Sequence, residues 1–250
     1  MWCDSHCHLD LLPEPQQDFI SVARQAGVSR FLLPAARWQD WPRVRAMAKP
    51  PSIAYALGIH PWYLPDLAMA DSLADRINQA LGDPAMVAIG ESGLDGLRPD
   101  FALQQQWFAW HLALATELGL PIIAHAVKAI DPLLQQIKTQ PQVRGVVHAF
   151  NGSLVQARAL IARGWFLGIG GLLLMPNARL KALLPELPLS ALLLETDAPA
   201  MKPKHLPGEV NQPANLSFVA QAMADLLAMP EQDLAAQLEL NRQALFASWS

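Results

Sequence analysis

A (β/α)8 barrel, the TIM-barrel form of the α/β class, is the fold this sequence predicts, and three observations predict it. Eight short apolar runs recur along the chain. Each is followed by a longer helix-like segment, most of them with apolar residues at three-to-four spacing. The length of 250 residues is what such a barrel needs. Strands buried on both faces read as continuous apolar runs, as most of these do. An open doubly wound sheet is the competing arrangement, but no Gly-x-Gly-x-x-Gly turn follows the first strand. Residues 1–250 are read as a single domain, because no linker, low-complexity tract or short repeat divides them.

The elements follow in a regular order. Strands are expected at "WCDSH" (2–6), "RFLLPA" (30–35), "IAYALGI" (53–59) and "MVAIGE" (86–91), then at "PIIAHA" (121–126), "GVVHAF" (145–150), "FLGIGG" (166–171) and "ALLLETD" (191–197). Helices are expected between them over 15–27, 38–49, 71–82, 100–119, 130–140, 153–164 and 177–186. Gly27, Gly82, Gly119 and Gly164 stand at four of their ends, where glycine accepts the left-handed turn. Two more helices, 212–229 and 230–249, follow the eighth strand, the second with Pro230 at its first position. The irregular segment "APAMKPKHLPGEVNQP" follows strand eight, which in a barrel places it over the mouth.

Composition narrows the function classes. A hydrophobic fraction of 52% with 16% charged residues argues for a packed globule rather than a disordered chain. No apolar run reaches the ~18 residues of a membrane span, and the first residues lack a signal-peptide layout, so the expected location is cytoplasmic. Cys3 and Cys7 on one strand would stand roughly 13 Å apart. That exceeds the ~7 Å limit for a disulfide and fits a reduced compartment. The net charge of −4 gives no overall basic field, so a polyanionic substrate must meet positive charge locally or through metal.

The chemistry gathers at strand ends. Of seven histidines, His6 and His8 lie on the first strand, His60 after the third, His125 on the fifth and His148 on the sixth; His111 and His205 fall in a helix and a loop. On an extended segment His6 and His8 point one way and Cys7 the other, toward the helical layer. Glu91 closes strand four and Asp197 closes strand eight. Singly, each has a plainer reading: His125 and His148 as core histidines, Glu91 and Asp197 as turn caps, His60 as a loop residue fixed by Pro61. A metal site needs the convergence on one end of five strands, whereas independent accidents do not supply it.

Four histidines with two carboxylates exceed the needs of one cation that keeps a position open for water. Two divalent cations ~3.5 to 4 Å apart, sharing a carboxylate, use the whole set. Glu91 is assigned as the shared group, since strand four lies across the barrel from strand eight. The first ion takes His6, His8, Glu91 and Asp197, and the second Glu91, His125 and His148. Zinc, manganese and magnesium all remain open for this donor set.

Six motifs, "DSHCHLD", "ALGIHPW", "IGESGLD", "LPIIAHA", "GVVHAFNGS" and "LLLETDAPA", occur in the order seen in TatD-type metal-dependent deoxyribonucleases of the amidohydrolase superfamily, which the chain resembles over residues 3 to about 216. The resemblance implies a TIM barrel, divalent metals and hydrolysis of phosphodiester bonds in DNA. It carries the family's metal ligands onto His6, His8, Glu91, His125, His148 and Asp197. Two departures concern substrate grip. "HAVKAI" offers Lys128 where many relatives have arginine, without the guanidinium fork. "GLDGLRPD" lacks the aromatic residue that often follows this motif.

The expected reaction is attack of water on phosphorus, with Asp197 accepting its proton and His60 hydrogen-bonding the scissile phosphate or leaving group. Arg98, Lys128, Lys202 and Lys204 lie on mouth-side segments, to hold the DNA backbone or simply to be solvated. A closed mouth favours single-stranded ends as substrate, and no obligate protein partner or membrane is implied. Two rivals are hydrolysis of a small amide or ester and metal binding without catalysis. The first usually bridges its metals with a modified lysine on strand four, where this chain has Glu91; the second should have lost a ligand or the base. The tryptophans of "WQDW" (38–41) and "WFAW" (107–110) are expected to pack rather than to stack on bases.

Overall fold

The computed structural model describes residues 1–206 and 208–249. All eight expected strands form: β1 Trp2–Asp4, β2 Val28–Pro34, β3 Ile53–Leu57, β4 Met86–Asp95, β5 Ile122–Val127, β6 Gly145–Val147, β7 Phe166–Ile169 and β8 Leu192–Leu194. They lie in chain order in one sheet, every neighbour parallel. Parallel neighbours need long crossovers, and seven helices supply them: α1 Gln16–Gln25, α2 Trp41–Met47, α3 Ala70–Asn78, α4 Phe101–Leu118, α5 Ile130–Ile137, α6 Leu154–Ile161 and α7 Arg179–Leu183. After β8 come α8 Leu216–Leu226 and α9 Glu231–Leu245. Pro230 stands one position earlier than expected, before α9 rather than inside it. No helix among the described residues is long and apolar enough to cross a membrane.

The barrel closes where its last strand meets its first. Ser5 N–H donates to Leu194 O at 2.9 Å, Asp197 N–H to His6 O at 2.9 Å and His8 N–H to Ala198 O at 2.7 Å. Beneath these, the buried Asp4 carboxylate accepts the Thr196 N–H at 2.9 Å and its hydroxyl at 2.6 Å.

Two apolar clusters follow from strand alternation. Leu32, Ala54, Val87, Ile123, Val146, Phe166 and Leu193, one from each of seven strands, form one cluster with Phe246 and Trp249. The alternating set, including Phe31, Tyr55, Met86, Ile122 and Leu192, packs under the helices together with Trp41 and Trp107. Both of those tryptophans are buried, as their helical spacing suggested. Trp249 Nε1 is tied to Pro51 O at 2.8 Å, so the tail after α9 plugs the floor and leaves the opposite end as the mouth.

Strand lengths differ from expectation mainly at the mouth. β1 stops at Asp4, so His6 and His8 lie beyond it, in a bend that leads into a 3-10 turn at Leu9–Leu11. β6 ends before His148 and β8 three residues before Asp197, because Ala149 (φ 45°) and Asp197 (φ 58°) take left-handed conformations that no strand continues through. β4 runs on past Glu91 to Asp95. Cys7 does turn away from the histidines: it is fully buried in the outer cluster, with its N–H on Leu32 O at 3.1 Å.

His111 on α4 holds part of the mouth from below. Its Nδ1–H donates to Trp107 O at 2.7 Å, and its Nε2 accepts the Ile59 N–H at 3.1 Å, next to His60. Burial pushes its pKa from 6.5 down to about 4, despite the bond to Trp107. Between those values the unfolded chain binds a proton that the folded chain refuses, so this stabilisation is complete above pH 6.5 and is lost as pH falls toward 4. The shift corresponds to roughly 3 kcal/mol. His111→Gln, which keeps a donor and an acceptor but cannot titrate, should therefore lose less stability than the parent protein between pH 7.5 and 4.5 in urea unfolding. Equal losses in the two proteins would remove His111 as the cause.

Candidate metal centre

The strand ends bring His6, His8, His60, Glu91, His125, His148 and Asp197 into one buried cluster. Glu91 reaches it through a bulge. Ile89 pairs with Ile122 but Ser92 with Ala124, three steps of β4 against two of β5, which turns Gly90 and Glu91 out of the ladder. Gly90 has φ 143°, and a Cβ there would lie 2.7 Å from Ile123 O, so only glycine allows this approach.

The two oxygens of Glu91 face different groups. Oε2 lies 3.4 Å from His6 Nε2 and 3.5 Å from His8 Nε2. Asp197 Oδ1 completes that lobe at 3.6 and 3.5 Å from the same nitrogens, which are themselves 3.2 Å apart. Oε1 lies 3.0 Å from His148 Nε2, 3.3 Å from His125 Nδ1 and 3.4 Å from His60 Nε2. Donors that share one tetrahedral ion at ~2.0–2.1 Å stand about 3.3 Å from each other. Both lobes have this spacing, and the donors are the nitrogen and carboxylate types that divalent ions accept, so the residues fit a metal.

The electrostatics agree. Burial alone would raise the Glu91 pKa, yet the surrounding histidines hold it well below the usual carboxylate range. Asp197 is likewise lowered, against its burial, chiefly by His8. Burial would lower His8, but Asp197 and Glu91 raise it to about 9, and Glu91 and Glu195 raise His148. Protons on these imidazoles thus supply positive charge at the places where cations would supply it.

Two further carboxylates stand behind the second lobe. Asp95 Oδ2 is 3.4 Å from His125 Nε2, directing the lone pair of Nδ1 into the cluster. Glu195 Oε1 is 3.7 Å from His148 Nδ1 and also accepts the Ala149 N–H at 2.5 Å. Gly168 makes room for this carboxylate: a Cβ there would stand 2.1 Å from Glu195 Oε2. Sequence reading passed over both acids, although each lies within a quoted motif.

His60 plays a different part from its neighbours. Its Nδ1 accepts the Trp62 N–H at 3.1 Å, so the neutral ring carries its proton on Nε2 and aims a donor at Glu91 and His125. Trp62 is pinned by Nε1 to Asp95 Oδ2 at 2.6 Å and remains 46% exposed at the mouth beside Tyr63. The cations anticipated from sequence divide. Arg98 stacks on Trp62 at 4.0 Å, Lys128 lines the mouth cavity, and Lys202 is turned back onto Leu206 O at 2.6 Å. Lys204 is exposed and does not line that cavity, whereas Arg179, unnoticed in the sequence, does.

Comparison with known proteins places the chain in a family. The model of the TatD related DNase family matches residues 3–247. The chain is 37% identical to the uncharacterized metal-dependent hydrolase YjjV of Escherichia coli, covering 97% of this chain and 96% of that protein. It is 33% identical to the 3'-5' ssDNA/RNA exonuclease TatD of Erwinia tasmaniensis, covering 91% and 92%. The crystal structure of YjjV, described as a TatD homolog, superposes with a TM-score of 0.89 over 98% of each chain at 34% identity.

Burial drives the His60 pKa down to about 3, with Glu91 opposing. Nitrogen NMR of the metal-free protein should therefore show His60 as a neutral ring protonated on Nε2 throughout pH 5 to 8. A titration of His60 within that range, or a proton on Nδ1, would contradict the assigned tautomer.

Proposed function

The chain belongs to the TatD-related DNase family of metal-dependent hydrolases, and from that premise we propose that it removes nucleotides from the ends of single-stranded DNA by hydrolysing phosphodiester bonds. The observation that carries this reading is the Glu91 carboxylate, with one oxygen among His6, His8 and Asp197 and the other among His125 and His148. We assign the first four residues to one divalent cation and Glu91, His125 and His148 to a second, with Glu91 shared. When bound, such ions supply the charge that a phosphoryl oxygen requires as it becomes more negative, and they acidify water.

The chain's own groups do the rest. Asp197, ionised and at the edge of the cavity, accepts the proton of the attacking water. His60 donates Nε2–H to a phosphoryl oxygen or to the leaving oxygen; its tautomer supports that role over metal ligation. Asp95 keeps His125 turned toward the second lobe, and the Glu195 carboxylate places negative charge behind His148. A cavity of about 740 Å³ opens above them, with Trp62 and Tyr63 on its wall, of a size to take a nucleotide and with an aromatic face for its base. The full chain acts as one catalytic unit, with DNA as its partner, and the free thiols of Cys3 and Cys7 suit a cytoplasmic setting.

Metal analysis after dialysis against excess manganese or zinc should find two ions per chain, and Glu91→Ala should reduce occupancy at both positions. Saturation at one ion with full activity would end the shared-carboxylate assignment. Asp197→Asn should lower turnover by roughly 10² or more, the scale of a lost general base, with the fold intact by circular dichroism.

With metal present, a linear single-stranded oligonucleotide should be degraded and the same sequence circularised should resist, both arms falling silent in chelator. Equal cutting of line and circle would overturn the end-directed reading. Activity confined to cyclic amides or esters would replace the phosphodiester reading with that of a different amidohydrolase.

A further inference from the structure

One end of the mouth is cationic and has no part in the chemistry above. The cavity over the carboxylates meets a second one, of about 490 Å³, beside α7. Lys128, Asn151, Leu172 and Arg179 line both, so they mark the junction. Lys128 follows β5 and Arg179 opens α7, and both are exposed. Arg37, Arg43, Arg45, Arg158 and Arg242 each hold a carboxylate, whereas among the described residues neither Lys128 nor Arg179 takes part in an ion pair. The acid on this wall, Asp131, is occupied at Oδ1 by Gln156 Nε2 at 2.9 Å.

The position of Lys128 is set by tight packing. Gly96 N–H donates to Val127 O at 2.8 Å, and a Cβ on Gly96 would approach Lys128 O to 3.0 Å. Lys128 itself takes a left-handed conformation, φ 51°, as the chain leaves β5. The second cation arrives from a distant part of the sequence. Two positive charges, free of ion pairs among the described residues, thus line the junction of two cavities, each within the ~300–1,000 Å³ of a small-ligand site.

We propose that Lys128 and Arg179 form a subsite for the backbone phosphates of a single-stranded oligonucleotide adjacent to the bond being cleaved, the strand continuing from the first cavity into the second. This rests on the nuclease reading and names where that substrate is gripped. Arginine offers a phosphate a two-pronged donor and lysine a point charge. A net charge of −4 leaves the protein without a general attraction for DNA, so a local pair has to provide it. The subsite makes a substrate with several phosphates better than a dinucleoside monophosphate, which has nothing to place there.

The test uses the full chain in two assays. Binding of a fluorescent oligothymidylate to chelator-treated protein is followed by anisotropy at increasing salt. Each of Lys128→Ala and Arg179→Ala should reduce the slope of log affinity against log salt by ~0.7, the value for one phosphate on a single strand, and the double variant by ~1.4. Lys128→Arg and Arg179→Lys should keep the parent slope, which a merely structural role would not require. With metal, the double variant should lose about tenfold more in kcat/KM on the oligonucleotide than on bis(4-nitrophenyl) phosphate, which lacks a second phosphate. Oligonucleotide cleavage with an unchanged slope in the double variant would overturn the subsite alone. Hydrolysis of the small diester with neither binding nor cleavage of the oligonucleotide would overturn the nuclease reading and the subsite with it.

Discussion

The site exists because the barrel closes between β8 and β1. His6 and His8 come from the start of the chain and Asp197 from nearly two hundred residues later, and nothing local holds them together. The backbone bonds across the seam do, with Asp4 beneath them. Burial pushes the Asp4 pKa up to about 8, against the Thr196 hydroxyl and N–H and the His6 N–H that favour its charge. Polar groups buried this deeply are costly when unpaired, so the seam has a strong preference for one register. Asn211 extends the lacing outward: its Nδ2 bonds Thr196 O at 2.7 Å and Ala200 O at 2.8 Å, which holds the loop carrying Asp197. Asp197 keeps its left-handed backbone only because this surrounding network determines it.

Much of this was legible in the sequence, and the reason is periodicity. Short β-rich runs, most of them continuously apolar, marked the strands, and helical spacing marked most of the helices that join them. The clustered histidines and carboxylates could be found because they sit where those runs stop, which in a barrel is a single place. The extended-strand argument for His6 and His8 reached the right result by an incomplete route: the strand ends at Asp4, and the bend after it still sets both Nε2 atoms 3.2 Å apart.

The unread part consists of residues that act through partners distant in sequence. Asp95 gains its meaning from Trp62 and His125, 33 and 30 positions away, and Glu195 from His148 and from the space that Gly168 leaves. His111 looked like an isolated histidine in a helix because its partner, the Ile59 N–H, is a backbone group. Arg179 went unnoticed because its place on the wall of the mouth comes from the tertiary path between β7 and α7, which no local pattern marks. Sequence pattern records which face of an element is apolar; it does not record which two faces meet.

The placement of charge explains why the mouth is asymmetric. Ionised Glu91 and Asp197 would repel a phosphodiester unless cations or imidazolium protons offset them, so the cluster by itself selects for metal before it selects for substrate. His60 adds a neutral N–H donor at the same level, and a neutral donor can approach an anionic oxygen without competing for the cations' ligands. Grip on the remaining substrate has to come from outside the cluster. The aromatic wall of Trp62 and Tyr63 provides a surface to which any base can stack, and the Lys128 and Arg179 junction provides charge for a backbone of any sequence. Stacking on a base face and charge on a backbone are both indifferent to base identity, so grip of this kind carries no sequence preference.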